Sequence, residues 1–166
     1  SSRNKIYKLD LNLSIINSIQ KPDWYEAGLA YYGGYIYTTY WDGLYKYDTD
    51  FNFIAKLGNP PGDYFGENLK IDKDGEYLYI GDFVPTVKKV RLSDFSYVGV
   101  IDLRDYLFYQ VWTMAYDRVK NLIIAGDGYY GLVTINLNTF TVGNHVSTFK
   151  GSSNSNAWNS IDVAYK

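Results

Sequence analysis

The sequence predicts an all-β fold made of repeated four-stranded antiparallel units. Three observations support this prediction. A strand, turn, strand pattern recurs along the chain, and short apolar runs lie between turns rich in Gly and Asp. No segment repeats apolar residues at helical spacing over the length of a capped helix. A fixed period of roughly 20–50 residues is typical of solenoids and propellers, so the recurrence decides the architecture.

The repeat centres on a polar turn followed by a large apolar residue, which we call the anchor. Each copy reads strand, polar turn, anchor, strand. The four anchors are Leu13, Phe51, Phe95 and Phe140. They are separated by 38, 44 and 45 residues, close to the period of roughly 40–45 residues of a propeller blade. The sequence therefore predicts a β-propeller.

A second pair of strands precedes each later copy of the repeat. Gly33-Gly34 and Asp74-Gly75 each lie between two apolar runs, and such dipeptides adopt the positive φ angles of tight hairpins. We name the four strands of a unit A, B, C and D in chain order. The predicted A strands lie near residues 28–32, 68–72, 113–117 and 160–165.

The predicted blades cover residues 26–58, 66–103 and 111–150, and a fourth blade joins residues 1–20 to 157–166. The pattern contains four A, four C and four D strands but three B strands. Two interpretations stay open. In the first, which we favour because both ends fall inside a blade, the chain is a segment of a larger propeller. In the second, the chain forms a four-bladed ring with one three-stranded blade.

Parts of the repeat resemble the YVTN and NHL families of β-propeller proteins. Residues 77–82, 86–92 and 97–101 look like the B, C and D strands of such a repeat, and residues 1–10 look like the loop and C strand of an NHL blade. The resemblance covers the chain in pattern, although no blade follows a family consensus throughout. It implies a propeller that serves in most cases as a binding platform and in some as an enzyme.

Composition excludes several classes of protein. The chain has 166 residues, no Cys, and 16 Lys and Arg against 18 Asp and Glu. The absence of Cys excludes disulfides, and a net charge of −2 gives no electrostatic basis for binding nucleic acid. No apolar run is long enough to insert into a membrane. Aromatic residues make up 19 % of the chain, 19 of them Tyr, which excludes disorder and itself requires an explanation.

Candidate ligand-binding residues lie in the B–C and D–A connections, which share one face of a propeller. These candidates are Trp24, Tyr25, Trp41, Asp42, Asp82, Phe83, Asp127, Tyr129, Tyr130 and Trp158. Exposed aromatic rings stack on sugars or form hot spots of protein interfaces, so a glycan and a protein are equally supported partners. The alternative is that single aromatic residues wedge between blades and seal loops.

Asp42, Asp82 and Asp127 follow three predicted B strands at similar spacing, and we predict equivalent positions for them. A ring of three carboxylates is a candidate site for Ca²⁺, which prefers oxygen ligands. The favoured alternative is that each Asp caps its loop by accepting backbone N–H groups. We therefore expect no cofactor, with Ca²⁺ as the one candidate.

The sequence offers no catalytic group beyond these carboxylates. His145 is the single His, and it has no Cys or second His with which to share a zinc ion. We predict a non-catalytic binding or assembly module located outside the cell, on a cell surface or in a virion. One alternative is a metal-dependent, lactonase-like propeller hydrolase. Another is a structural subunit of a filament or surface layer that self-assembles by strand addition.

Overall fold

The computed structural model describes residues 5–21, 28–60, 64–107, 110–127 and 131–146. These ranges contain fourteen β-strands, and no helix within them is long and apolar enough to cross a membrane. A two-stranded sheet consists of β1 (Lys5–Leu9) and β2 (Ile15–Gln20). The other strands form three four-stranded sheets.

Sheet I consists of β3 (Leu29–Tyr32), β4 (Tyr35–Tyr40), β5 (Gly43–Asp48) and β6 (Phe53–Gly58). Sheet II consists of β7 (Asn68–Ile71), β8 (Tyr77–Gly81), β9 (Thr86–Arg91) and β10 (Ser96–Asp102). Sheet III consists of β11 (Thr113–Asp117), β12 (Leu122–Gly126), β13 (Leu132–Asn136) and β14 (Thr141–Val146).

Each of these sheets is an antiparallel meander whose strands follow chain order from A to D. The A strand β7 lies against both β3 and β11, so the A strands of neighbouring sheets adjoin one another. This arrangement confirms the predicted all-β propeller. The strand predicted near 160–165 lies outside the described residues, and the number of blades in the ring stays a prediction.

Among the described residues, two apolar cores lie between the sheets, and sheet II contributes to both. Leu78 and Ile80 pack into the core shared with sheet I, whereas Tyr79 packs into the core shared with sheet III. This alternation follows from the two-residue period of a strand, which sends successive side chains to opposite faces. All three side chains are at most 1 % exposed. A strand buried on both faces explains why β8 is apolar throughout.

The anchors occupy a conformation that the sequence pattern did not predict. All four have positive φ angles, 64° at Leu13, 66° at Phe51 and 52° at both Phe95 and Phe140. This left-handed conformation costs a side-chain-bearing residue roughly 1–2 kcal/mol. Two anchors gain packing in return, because each lies against a buried Tyr of the preceding sheet. Phe95 lies 6.3 Å from Tyr37, and Phe140 lies 6.1 Å from Tyr79, measured between ring centroids.

A lysine on the C strand lies over two B-strand tyrosines in both sheet I and sheet II. Lys46 Nζ lies 3.9 Å from the ring centroid of Tyr35 and 5.8 Å from that of Tyr37. In sheet II the corresponding distances from Lys89 Nζ are 3.8 Å to Tyr77 and 5.7 Å to Tyr79. Part of the tyrosine content therefore serves repeated cation–π contacts within sheets.

Candidate functional site

The connections between strands divide between two faces of the molecule. The B–C and D–A connections form what we call the loop face, and the A–B and C–D connections form the turn face. Five of the predicted ligand-binding residues lie in the described part of the loop face: Trp41, Asp42, Asp82, Phe83 and Asp127. The other five lie outside the described residues: Trp24, Tyr25, Tyr129, Tyr130 and Trp158.

Asp82 forms a buried ion pair at the base of the loop face. Its Oδ2 accepts hydrogen bonds of 2.5 Å from both Lys88 Nζ and Thr86 Oγ1. Its Oδ1 accepts the backbone N–H of Gly66 at 3.1 Å, and Lys88 Nζ also donates to the Tyr64 carbonyl at 2.8 Å. The Asp and Lys side chains are 0 % and 1 % exposed. Asp82 therefore joins a B–C loop to the neighbouring D–A connection, and the choice between loop capping and metal binding stays a prediction.

Asp127 occupies the corresponding position in sheet III. It follows Gly126 at the end of β12, as Asp82 follows Gly81 at the end of β8. Asp127 is 0 % exposed, and its Oδ1 accepts the backbone N–H of Gly131 at 3.3 Å. Both carboxylates thus accept backbone donors of their own face, and contact between either and a ligand stays a prediction.

The predicted equivalence of the three aspartates is wrong for Asp42. Tyr35 and Tyr77 both lie under the strand lysines described above, and each starts its B strand. Counted from these tyrosines, the residue that corresponds to Asp82 is Tyr40, which is 2 % exposed. Asp42 lies two residues later, in the tight turn that follows β4. In sheet I the B and C strands pair over one more residue than in sheet II, and the turn between them is shorter. The similar spacing of the aspartates along the sequence therefore did not reveal that Asp42 and Asp82 occupy different positions.

Asp42 is reached by solvent, with 51 % of its side chain exposed. Its carboxylate accepts hydrogen bonds from Lys56 Nζ at 2.5 Å and from the Tyr45 hydroxyl at 3.0–3.1 Å. Burial raises the pKa of Asp42, but these hydrogen bonds outweigh it, so the pKa lies below the ordinary value. Within the described ranges, no three acidic or His side chains converge in a group that would hold a metal ion.

A stacked aromatic pair is exposed in the described part of the loop face. The rings of Trp41 and Tyr64 lie 4.1 Å apart between centroids at an interplanar angle of 28°. Their residues are 42 % and 43 % exposed. Trp41 belongs to the B–C turn of sheet I and Tyr64 to the connection between sheets I and II. The pair therefore joins two connections that lie far apart in the chain.

Side chains fix the backbone under this pair. Asn59 Nδ2 donates to the Trp41 carbonyl at 2.6 Å, and Asn59 Oδ1 accepts the Phe65 N–H at 3.2 Å. Phe65 is itself buried, at 2 % exposure. Together with the hydrogen bond from Lys88 to the Tyr64 carbonyl, these contacts hold both aromatic residues on the sheets.

A third exposed aromatic residue, Trp112, lies directly before β11 and is 41 % exposed. Asn68 Nδ2 donates to its carbonyl at 2.9 Å. The predicted set omitted Trp112, Tyr64 and Lys88. The two aromatic residues were detectable as large rings in or beside D–A connections. Nothing in the local sequence distinguished Lys88 from the neighbouring Lys89.

No protein-family model matches the chain, and no curated protein matches it significantly. Similar solved structures do exist. The structure of the Neurospora crassa Pan2 WD40 domain matches with a TM-score of 0.66 and 13 % identity, covering 87 % of this chain and 47 % of that one. The structure of U3-55K matches with a TM-score of 0.64 and 13 % identity, covering 78 % and 39 %.

A third similar structure is that of the dihydro-heme d1 dehydrogenase NirN, with a TM-score of 0.64 and 16 % identity, covering 89 % of this chain and 33 % of that one. The chain thus spans less than half the length of each of these three proteins. At such identities the likeness shows the fold alone. It confirms a β-propeller, with WD40 structures among its neighbours, and the YVTN or NHL type stays a prediction.

Proposed function

We propose that this β-propeller chain is a non-catalytic binding module whose loop face binds a protein partner. The observation that supports the proposal is the stacked pair of Trp41 and Tyr64, with more than two fifths of each residue exposed. Trp and Tyr dominate the binding energy of protein interfaces because they bury large areas with few rotatable bonds.

The pair is also held in place before any partner arrives. Asn59 and Lys88 bond the carbonyls of Trp41 and Tyr64, and stacking limits the rotation of both rings. A partner therefore loses little free energy to ordering these side chains, which favours affinity.

A glycan is the second candidate partner. Asp42 lies next to Trp41 in the same turn, and its carboxylate is half exposed. An exposed ring beside a hydrogen-bond acceptor is the pairing that binds the apolar face and the hydroxyls of a sugar. The proposal also includes a location outside the cell, for which the supporting observation is the modest share of charged residues, 20 %.

The test is a selection of binders from a displayed library of small folded domains on the wild-type chain. We expect most binders to lose at least tenfold in affinity for a Trp41→Ala, Tyr64→Ala double variant. They should keep their affinity for Val119→Ala, a control that removes a residue 78 % exposed on the turn face. Binders that are indifferent to the double variant would contradict a protein-binding loop face. A glycan array with the same variants tests the second candidate, which fails if no glycan binds.

A further inference from the structure

A cleft of about 560 Å³ opens on the turn face between sheets I and II. It lies on the side opposite the stacked pair, so it is independent of the proposed function. Its aromatic walls are four tyrosines: Tyr32, Tyr35, Tyr37 and Tyr77. Pockets of roughly 300–1,000 Å³ accommodate small organic ligands. The volume therefore suits a molecule with one or two rings and exceeds what a lone inorganic ion fills.

Gly75 allows one wall of this cleft to form. Gly75 has a φ of 70°, and a Cβ placed there would meet the ring of Tyr32 at 1.8 Å. The Tyr32 hydroxyl instead reaches across the interface and donates to the Asp74 carbonyl at 3.0 Å. The close approach of ring and turn fixes one wall of the cleft, so the wall is built by specific contacts.

Lys46 supplies a cation to this cleft. Its ammonium group lies over Tyr35 and Tyr37, and among the described residues it forms no ion pair with a carboxylate. Arg91 also lines the cleft, but its guanidinium is paired with Asp94 at 3.0 Å. Glu76 is the one acidic residue of the lining. The cleft thus presents one cation without an anionic partner among aromatic walls.

The equivalent lysine at the next interface has one more aromatic neighbour. Lys89 lies over Tyr77 and Tyr79, as Lys46 lies over Tyr35 and Tyr37, but Phe140 of sheet III adds a third ring 5.1 Å from Lys89 Nζ. At the first interface the corresponding anchor packs on Tyr37 and makes no such contact with Lys46. The same local motif meets a third aromatic ring in one interface and lines a cleft in the other.

We propose that the cleft between sheets I and II binds a small aromatic carboxylate, with its ring against the tyrosines and its carboxylate on Lys46. Lys46 lacks the third ring that contacts Lys89, so the ring of the ligand would occupy this position. An aromatic anion satisfies both features of the site, because tyrosine faces favour flat rings and the ammonium group attracts a carboxylate.

The test is a titration of the chain with 1-naphthoate, followed by two-dimensional NMR. We expect a Kd below about 1 mM, with shifted signals from residues of the cleft. Lys46→Met removes the ammonium group while keeping a long apolar side chain, and it should weaken binding at least tenfold. The matched control is Lys89→Met, which should leave the Kd within twofold of the wild type.

A second measurement needs no variant. The neutral analogue 1-naphthalenemethanol keeps the rings and lacks the carboxylate, so it should bind the wild-type chain at least tenfold more weakly. The proposal is wrong if 1-naphthoate does not bind, or if the protein signals that it shifts belong to residues of the loop face. It is also wrong if the neutral analogue binds equally well. An equal loss of affinity in Lys46→Met and Lys89→Met would also contradict it.

Discussion

Two Asp–Lys ion pairs of the loop face have the same N–O distance and opposite surroundings. Asp82 and Lys88 lie 2.5 Å apart with side chains at most 1 % exposed. Asp42 and Lys56 also lie 2.5 Å apart, but their side chains are 51 % and 36 % exposed. The first pair bonds the Gly66 N–H and the Tyr64 carbonyl of the neighbouring D–A connection, and the second lies at the B–C turn of sheet I.

Burial, and not distance, determines how much such an ion pair contributes to stability. Loss of one partner from a buried pair leaves an uncompensated charge, which destabilises by roughly 3–5 kcal/mol. An exposed pair contributes about 0–1 kcal/mol because water and salt screen it.

Lys88→Met should destabilise the chain by about 3–5 kcal/mol, since it leaves the Asp82 carboxylate buried without its cation. Urea unfolding followed by circular dichroism measures the change. The Asp82→Asn, Lys88→Met double variant removes both charges, so it should recover part of the loss. A single variant as stable as the wild type would show that the pair does not hold the loop face together.

Phe140→Ala should destabilise the chain by about 2 kcal/mol, because it removes a partly buried ring that packs on Tyr79. Leu13→Ala is the matched control. Leu13 shares the left-handed backbone but is 76 % exposed, so its truncation should change stability by less than about 0.5 kcal/mol. Thermal unfolding of both variants compares them, and equal losses would mean that the backbone conformation, not packing, determines the contribution of an anchor.

Asp42→Asn should change stability by less than about 1 kcal/mol, and the change should shrink as salt is raised. Unfolding in 0.05 M and 1 M NaCl measures both effects. A salt-independent loss close to that of Lys88→Met would contradict the contrast between the two pairs.

Asp102 gives the smallest effect and tests an exposed carboxylate by pH. The hydrogen bond from the Arg104 side chain, aided by the Arg104 N–H, lowers the pKa of Asp102 to about 2. A lowered pKa contributes stability that is present above the unfolded value near 3.9 and is lost as pH falls toward 2. Solvent screening makes that contribution small. Carboxyl NMR titration should find the low pKa in the wild type and a higher pKa in Arg104→Ala, still below about 3.9 because the backbone N–H of residue 104 is retained.

The repeat predicted most of the fold, because strand periodicity and turn residues are local features. The pattern located the A–B hairpin at Gly33-Gly34, and both glycines have the positive φ angles expected there. It also located the four anchors, although their left-handed backbone depends on turn geometry that apolar spacing does not report. All-β class, meander order and blade period followed from the chain alone.

The site was less predictable because burial depends on neighbouring sheets. Asp42 and Asp82 look alike in sequence, each just after a B strand, yet one is half exposed and the other fully buried. The Trp41–Tyr64 stack joins separate connections, so no local pattern indicates it. Registers and contacts between sheets decide these features.

Among the strands that the structure describes, each one in sheets I, II and III pairs only with strands adjacent to it in the chain. Short loops close these pairings at a small entropic cost, and each sheet then needs its neighbour mainly to cover an apolar face. Such a chain should open in steps, one sheet at a time, instead of all at once. Sheet II is covered on both faces, so its amide protons should be the slowest to exchange with solvent.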